Sequence, residues 1–588
     1  LAMPVVLVAL AVVAMIGGSL PVVILTLGLL KWDRFAVVMR SATQQVRSLD
    51  YVAAAEAAGA SRLRIITGEV LPNVFPHLIV VATVEAGSAI LLEAAAGFSE
   101  TTLDPLNGVG DRVGAQMVDG RVRLPPGFAD GFRHYAEDGW LGLDAPAQFG
   151  GQALPLVLQA GCGSLFDRGC MALMMAAGSA RGAIHLLAAG ADATTAAEWG
   201  PRLVSGEWAA TICISEPEAG SDIGRIRTRA VLQDGQWLVS GQKIWISFGD
   251  HDMASRIGHC LLARTNDQKG TRGLSLFLVP DRVDGAPNGV SVERIEEKMG
   301  LHGSPTCAMR FRDARGIMLG AEGRGLSQLF AMIEPMRLHT GCQGLGIASA
   351  AADIAEDYAD QRRQGGHPDA APPPIADHPD VRRQLHDIRS GTEILRAAVL
   401  ELASVMDLAR LEDDARLGDF ASWMLPLIKT FGAETGFETA HAAIQVMGGA
   451  GYMRECPLEQ YLRDARVMAI YEGTTGMQAL DFLTRRLWRD EGRGLAVFLQ
   501  RAREEIAAGA AVRPQQAQAV ETLLEQFEGL CGHMTQMQDD PDTALYRADS
   551  YMRAAWAAVS AWMAFRIGAG EAIALCAARH DLHAARCR

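Results

Sequence analysis

The stretch AIYEGTTGMQ at residues 469–478 places one carboxylate, Glu472, between an apolar segment and a tight Gly-Thr turn. Taken alone, a glutamate before a glycine is an ordinary turn residue. Three further segments stand upstream of it: CISEPEAGSD at residues 213–222, GQKIWIS at residues 241–247 and QVMGGAGY at residues 445–452. Because four such segments in one order are hard to obtain by chance, we interpret them together.

The four segments, in this order, resemble the acyl-CoA dehydrogenase family, in which the YEG glutamate is the catalytic base. The resemblance begins near residue 91 and extends to residue 588, without the first one or two helices of a typical member. It implies a fold that is mostly α with a central β domain: a helical domain, a β domain and a C-terminal helical bundle. A membrane-type helical segment precedes these parts.

The periodicity of the sequence agrees with this order. Gly and Pro breakers separate helical stretches between about residues 96 and 210. The Asp234-Gly235 pair is a hairpin signal, and the apolar run at residues 274–279 predicts a strand. Apolar residues then recur at alternating spacings of 4 and 3 after Pro379, which predicts one long bundle helix. Its predicted buried face is Val381, Leu385, Ile388, Thr392, Leu395, Val399 and Leu402.

Beyond residue 490 the pattern predicts further helices at residues 496–508, 516–537 and 551–578. Their extent resembles the extra C-terminal domain of the long subgroup of the family, which includes enzymes acting on 3-methylthiopropanoyl-CoA. We therefore predict five domains. They are a permease-like segment at 1–93, a truncated helical domain at 94–210, a β domain at 211–315, a bundle with the catalytic glutamate at 316–490 and an extra helical domain at 491–588.

The first thirty residues carry no charged side chain and exceed the roughly 20 apolar residues that cross a bilayer. A cleavable signal and a buried soluble helix are the alternatives, although a basic n-region and a cleavage site are missing. With Gly59, Leu71-Pro72 and a second apolar run at residues 78–92, residues 1–93 resemble the end of a dipeptide-type ABC transporter permease. A gene fusion or an assembly artefact would both produce a junction near residue 94.

Composition excludes several other classes of protein. The 588 residues carry a net charge of −14, which argues against a nucleic acid partner because phosphate binding needs a basic face. The ten cysteines form no C-x-x-C pair, so neither a zinc site nor a disulfide framework is expected, and the reducing cytoplasm is the predicted compartment. Tethering to the inner membrane through residues 1–93 is the further expectation. We predict no metal site and find no nicotinamide fingerprint.

The resemblance implies a site for FAD. Around the flavin ring it places Ile214, Ser215, Gly220, Ser221, Trp245, Ser247 and Thr474. From a neighbouring subunit it brings Arg362 and Gln364 to the pyrophosphate and Gln445, Gly448 and Gly449 to the adenine half. Against substrate it places Ser221, Arg337 and Gly473. The alternatives are that Trp245 is a core residue, that Arg362 is solvated and that the glycine pair is a helix break.

Oxidation of an acyl-CoA requires a base that removes the α proton while hydride leaves Cβ for the flavin, and a carboxylate with a raised pKa suits this task. Glu472 holds the position of that base, and the resemblance implies that its own N–H polarises the thioester oxygen. The predicted product is a 2-enoyl-CoA, the predicted electron acceptor is electron-transfer flavoprotein, and the predicted assembly is a homodimer or homotetramer. The rival predictions are a permease subunit of a peptide transporter and an inactive fusion of the two parts.

Overall fold

The computed structural model describes residues 49–587, together with Arg40, Thr43, Gln44, Val46 and Arg47. The chain divides into two compact units, Leu1–Ala94 and Ala95–Arg588. The apolar run predicted at residues 1–30 lies outside the described residues. The five domain boundaries stay predictions.

The described part of the first unit is helical. Helix α1 (Asp50–Ala57) ends at a turn in which Gly59 has a φ of +80°, a left-handed value that glycine adopts without strain. Ser61 caps the N-terminus of α2 (Arg62–Ile65) by accepting a hydrogen bond from the Arg64 N–H at 3.4 Å. A π-helical turn, Ile66–Val70, leads into α3 (Leu71–Phe98), which contains the apolar run predicted at residues 78–92. A small apolar cluster holds the turn together: Val46, Val52, Ile65, Val70 and Val74.

The second unit starts with helices. These are α4 (Asp104–Val113), α5 (Phe128–Glu137), α6 (Leu156–Gly190) and α7 (Ala193–Val204), with a hairpin of β1 (Gln116–Val118) and β2 (Arg121–Arg123) between the first two. Among the described residues, α6 is the one helix long and apolar enough to cross a membrane, and 89% of its apolar window is buried inside the protein. Such burial is typical of a core helix.

A β domain follows. Its strands are β3 (Trp208–Cys213), β4 (Arg229–Gln233), β5 (Gln236–Ser247), β6 (Arg256–Arg264), β7 (Leu274–Pro280), β10 (Val290–Ile295) and β11 (Thr306–Leu319), with the short pair β8 (Arg282–Val283) and β9 (Ala286–Pro287) beside them. The strands lie in the order β10-β11-β5-β4-β6-β3, and β7 pairs with both β11 and β6, so the pairing closes on itself around an apolar interior. The predicted hairpin at Asp234-Gly235 and the predicted strand at 274–279 are confirmed, and both turn residues have positive φ, as a two-residue hairpin requires.

Helices then continue to the end of the described chain: α8 (Gly325–Gln361), α9 (Pro379–Leu411), α10 (Ala415–Met447), α11 (Leu458–Ala465), α12 (Thr475–Asp481), a π-helical turn Phe482–Arg489, α13 (Arg493–Gly509), α14 (Pro514–Gln536), α15 (Pro541–Ile567) and α16 (Gly570–Cys587). The predicted order of helical, β and helical parts is confirmed. Helix α9 confirms the predicted long helix, with Pro379 in its first turn and Ile388, Leu395 and Leu402 buried.

The C-terminal helices correct one prediction. The single helix predicted at 551–578 is wrong, since Gly568 ends α15 in the left-handed conformation (φ +78°) and α16 begins two residues later. Residues on both sides of position 490 share one apolar core, in which Trp423 of α10 stacks on Phe498 of α13 with ring centres 4.8 Å apart. Aromatic burial of this kind joins the bundle to the helices that follow it.

Candidate active site

Glu472 stands on a turn with left-handed backbone conformation. Its φ is +55°, and that of Gly473 is +99°. The turn leads into α12, whose N-terminus Thr474 caps by accepting a hydrogen bond from the Met477 N–H at 3.4 Å. Such a conformation costs a non-glycine residue about 1–3 kcal/mol and persists only where the surroundings fix it.

Two side chains from different helices fix the turn. The Gln478 amide donates to the Glu472 carbonyl at 3.1 Å, and the Lys429 ammonium donates to the Gly473 carbonyl at 2.7 Å. Both Gln478 and Lys429 are buried. No described group accepts a hydrogen bond from the Glu472 N–H, so this donor is left available beside the carboxylate.

The Glu472 carboxylate lies in a partly apolar setting with cations around it. Its Oε2 is 3.5 Å from the hydroxyl of Thr340, which also donates to the Met336 carbonyl at 3.1 Å. Burial raises the pKa of Glu472, while the nearby Lys429, Arg337 and His339 oppose that rise. A carboxyl group with a raised pKa can accept a proton near neutral pH.

Arg337 lies on α8, one turn before Thr340. Burial lowers the pKa of its guanidinium, and Asp481 and Glu472 oppose this effect. Its Nε is buried and has no hydrogen-bond partner in the described part of the chain. A buried donor without a partner is costly, which makes Arg337 a candidate to bind a ligand oxygen.

A second cluster forms where β3 and β5 end side by side. The Ile244 N–H donates to the Ser215 carbonyl at 2.9 Å, and the Thr211 hydroxyl donates to the Ser247 carbonyl at 2.7 Å. Between them β5 carries a bulge opposite Cys307–Met309, in which Trp245 has a φ of +60°. The bulge turns the indole outward, leaving 61% of Trp245 exposed beside Ile214 and Ser215. The alternative of a core tryptophan is wrong.

The structure brings the predicted site residues into two groups. One group lies at the turn before α12 and consists of Glu472, Gly473, Thr474 and Arg337. The other lies at the ends of β3 and β5 and consists of Ile214, Ser215, Trp245 and Ser247. Gly220 and Ser221 lie on the exposed loop that follows Ser215. The remaining five, Arg362, Gln364, Gln445, Gly448 and Gly449, are exposed and make no hydrogen bond or ion pair to either group within the part of the chain that the structure describes.

Sequence reasoning missed the residues that hold these groups in place. Lys243 is fully buried and donates to the Ile214 carbonyl at 3.0 Å, to the Leu262 carbonyl at 2.9 Å and to Glu216 at 2.9 Å. Lys429 likewise holds the turn at Glu472 and Gly473, through its hydrogen bond to the Gly473 carbonyl. Both lysines carried a signal, since each is a lone charge in an apolar stretch of a strand or helix.

A groove lined mainly by basic side chains lies beside the loop of Ser221. Its volume is about 680 Å³. Five of its lining side chains are basic against two acidic ones: Arg225, Arg227, Arg229, Arg264 and Lys269 against Glu218 and Asp267. The sequence analysis did not locate this groove.

Comparison with known proteins identifies the family. Residues 211–314 match the family model for the acyl-CoA dehydrogenase middle domain, and residues 323–487 match the model for the C-terminal domain. The 3-methylmercaptopropionyl-CoA dehydrogenase of Ruegeria pomeroyi is 35% identical over 462 residues, which are 75% of this chain and 78% of that protein. A broad-specificity linear acyl-CoA dehydrogenase of Mycobacterium tuberculosis is 33% identical over 457 residues, 72% of this chain and 74% of that one.

Solved structures show the same fold. An acyl-CoA dehydrogenase complexed with FAD from Bacillus anthracis superposes with a TM-score of 0.67 at 21% identity, over 85% of this chain and 86% of that one. Butyryl-CoA dehydrogenase from Megasphaera elsdenii gives a TM-score of 0.59 at 23% identity, over 67% and 97%. The chain therefore belongs to the acyl-CoA dehydrogenase family, flavin-dependent oxidoreductases that act on acyl-CoA thioesters.

The N-terminal part has a different relationship. Residues 1–100 match the family model for the binding-protein-dependent transport system inner membrane component. The predicted resemblance to a transporter permease is confirmed, and the match runs a few residues past the predicted boundary at residue 93.

Proposed function

We propose that this chain oxidises an acyl-CoA to the 2-enoyl-CoA with Glu472 as the base that removes the α proton. The observation that carries the proposal is the setting of Glu472: a carboxylate on a left-handed turn, with its pKa raised by burial, beside the Thr340 hydroxyl. General base catalysis works best when the pKa of the base lies near the working pH.

The Glu472 N–H supports the same proposal. It has no acceptor among the described groups and stands next to the carboxylate, where the oxygen of a bound thioester can accept its hydrogen bond. Negative charge develops on that oxygen when the α proton leaves, and a fixed donor stabilises it. Gly473 adds no side chain to this turn, so the substrate can approach the backbone closely.

The residues present fit FAD. The exposed indole of Trp245 offers a flat surface to an aromatic ring system, and the neighbouring strand ends add an apolar side chain at Ile214 and hydroxyls at Ser215 and Ser247. A Cβ on Gly220 would meet nothing within 4 Å, so that loop leaves room for a ligand. We place Ser221 and Thr474 at its edge. When bound, the flavin accepts the hydride that leaves the substrate Cβ.

The exposed residues outside the two groups support an oligomer. We propose that two sets of residues bind FAD in a neighbouring copy. Arg362 and Gln364, which follow the C-terminus of α8, bind the pyrophosphate. Gln445 in the last turn of α10, with Gly448 and Gly449 just after it, binds the adenine half. The Arg362 guanidinium makes no ion pair among the described residues, and a Cβ on Gly448 or Gly449 would meet nothing within 4 Å. Planar guanidinium donors suit phosphate oxygens. The expected assembly is a homodimer or homotetramer.

For the substrate we propose two anchoring points. Arg337, with its unpartnered Nε, is placed to bind the pantetheine end near Glu472. The groove lined by Arg225, Arg227 and Lys269 lies beside Ser221 and suits the phosphates of coenzyme A, because its excess of cations offsets the acidic charge of the chain. Relatives that act on 3-methylmercaptopropionyl-CoA and on linear acyl-CoAs give the substrate panel to test.

We further propose that electron-transfer flavoprotein reoxidises the enzyme and that the enzyme is a cytoplasmic one attached to the inner membrane through residues 1–93. The match of residues 1–100 to a membrane transport component supports the attachment. Cell fractionation tests it. The protein should sediment with membranes and resist a carbonate wash, and recovery in the soluble fraction would contradict the attachment.

The test of the function uses Glu472→Gln in the full-length chain. This change keeps the shape of the side chain but removes the proton acceptor, so the purified variant should retain flavin absorbance while acyl-CoA reduces the flavin about 10²–10⁴ times more slowly. Glu491→Gln is the matched control, since Glu491 also has a left-handed backbone (φ +52°) but is exposed. A Glu472 variant that is reduced at the parent rate would exclude Glu472 as the base.

A further inference from the structure

Lys429 lies inside α10 (Ala415–Met447) with its side chain completely buried. Its ammonium donates to the Gly473 carbonyl at 2.7 Å, and its Nζ lies 5.9 Å from the centre of the Tyr471 ring. Among the described residues the Gly473 carbonyl is its one hydrogen-bond acceptor. Burying an ammonium costs free energy unless the charge has a partner. The contacts with Tyr471 and Gly473 therefore offset the cost of burying Lys429.

The hydrogen bond acts on the least regular part of the backbone. Glu472 and Gly473 both have left-handed φ values, and each has its carbonyl held by a side chain from a separate element: Gln478 of α12 holds the first and Lys429 of α10 the second. Removing Lys429 leaves the Gly473 carbonyl without a partner while the first contact remains. The turn that aims the Glu472 carboxylate would then be fixed at one end only.

Charge adds to this geometry. Burial lowers the pKa of Lys429 to about 8, and the attraction of Glu472 opposes that fall. Arg337 and His339 on α8 also face Glu472, and Arg337 and Glu434 also face Lys429. Arg337 contributes its own positive charge from helix α8, so Lys429 and Arg337 act together on Glu472.

We propose that Lys429 is a positioning residue for the base, which fixes the Gly473 carbonyl and supplies a positive charge that keeps Glu472 in the carboxylate form. This inference rests on the proposed function, since it takes Glu472 to be the base. Lys429 itself stays outside the reaction and acts through Glu472.

The first test measures the turn without cofactor. Hydrogen–deuterium exchange of the full-length, flavin-free chain reports the peptides that cover residues 470–477. Lys429→Met should speed exchange there several-fold, and Lys429→Arg should leave most of the protection in place. Lys298→Met is the matched control, because Lys298 is a half-buried lysine that likewise donates to one carbonyl, that of Ser304, at 2.8 Å. Unchanged exchange at residues 470–477 in Lys429→Met would overturn the positioning role.

The second test measures the charge. An opposite charge within a few ångströms lowers a carboxyl pKa by about 1–3 units, so Lys429→Met should move the acid limb of flavin reduction by acyl-CoA up by about one unit or more. On that limb the rate should be about tenfold lower than that of the parent. Lys429→Arg, which keeps the charge, should restore the parent profile. An acid limb that does not move, or one that moves equally in Lys298→Met, would overturn the role of the charge.

Different results would contradict the role of Glu472 and the role of Lys429. If Glu472→Gln is reduced at the parent rate, the proposed function fails whatever the exchange data show. If Glu472→Gln is inactive while Lys429→Met has the parent exchange and the parent pH profile, the base is right and the role of Lys429 is wrong. Should Lys429→Met not fold, Lys429→Gln offers a donor without the charge: parent-like exchange with a shifted acid limb supports the proposal, and an unshifted limb contradicts it.

Discussion

Replacing Lys243 by methionine removes the buried cation that holds the loop next to Trp245. In the parent, Lys243 donates to the carbonyls of Ile214 and Leu262 and to the carboxylate of Glu216, at 2.9–3.0 Å. Methionine fills a similar volume but donates nothing. Glu216 is then left as a buried carboxylate that keeps only the backbone N–H groups of Arg227 and Thr228, at 2.6 and 3.0 Å.

These contacts set how much the free energy of unfolding falls in Lys243→Met. Breaking a buried ion pair on one side costs about 3–5 kcal/mol, and the two remaining N–H donors place Lys243→Met at the lower end, at about 3 kcal/mol. In a unit of this size that corresponds to roughly 3 °C in unfolding temperature. Because the uncompensated carboxylate is the main cost, Glu216→Gln added to Lys243→Met should recover about 1–3 kcal/mol.

The stability that the Lys243–Glu216 pair contributes should also depend on pH. Burial alone would raise the pKa of Glu216, but Lys243 and the backbone donors bring it below its ordinary value. A carboxylate with a lowered folded pKa contributes stability above its unfolded pKa, about 4.3, and loses it as the pH falls through the folded value. The difference between parent and Lys243→Met should therefore be largest above about pH 5 and shrink in acid.

The assay is thermal unfolding of the full-length chain by near-ultraviolet circular dichroism, with Lys243→Met, Glu216→Gln and the double variant as a cycle. Lys298→Met serves as control and should lose only about 1 kcal/mol, since Lys298 is half-buried and has no carboxylate within ion-pair distance among the described residues. The Lys243–Glu216 pair does not have this role if Lys243→Met loses no more stability than the control, or if Glu216→Gln adds its full cost to the double variant.

Three further predictions concern the two groups of site residues. Burial raises the pKa of Glu472, so its ionised form destabilises the fold once the pH rises through the folded pKa. Glu472→Gln should therefore unfold at a higher temperature than the parent at pH 8, and the difference in unfolding temperature should disappear in acid. Gly473→Ala should lower the stability of the fold by about 1–3 kcal/mol, since φ is +99° and the new Cβ would lie 2.9 Å from Gln478. Gly476→Ala is the control, because its Cβ would stand in open space and should not destabilise the fold. Equal melting temperatures of the two variants would contradict this prediction. Trp245→Leu should weaken flavin binding by about 1 kcal/mol or more in equilibrium dialysis while leaving the unfolding temperature nearly unchanged, because the indole is 61% exposed.

The fold was predictable where local signals were strong. The Asp234-Gly235 pair specifies a two-residue hairpin by its backbone preferences alone, and the apolar spacing after Pro379 specifies α9. The break at Gly568 was missed because the apolar pattern continues across it, and a left-handed glycine interrupts a helix without changing hydrophobicity. Closure of the sheet through β7, which pairs with β6 and β11, depends on contacts between distant segments that no local pattern encodes.

The candidate site was predictable as a set of segments but not as an arrangement. The four segments place Glu472 and Trp245 in the family pattern, yet only the structure shows that a bulge turns Trp245 outward and that Lys429 reaches Gly473 from another helix. Lone lysines in apolar stretches are a usable signal that such a contact exists. Their partners, Glu216 and the Gly473 carbonyl, are 27 and 44 positions away in the chain, which is why the sequence does not name them.

The distribution of charge explains how an acidic chain can handle a polyanionic substrate. A net charge of −14 repels coenzyme A at long range, but exposed charges farther apart than about 8 Å are largely screened at physiological ionic strength. What a bound phosphate or carboxylate encounters is the local field. At the basic groove three of the five cations pair with Asp222, Glu218 and Asp267, while Arg264 and Lys269 make no ion pair among the described residues. At Glu472, Lys429 and Arg337 act together. Burial and these cations act on Glu472 in opposite directions, so the base can have a raised pKa and still ionise.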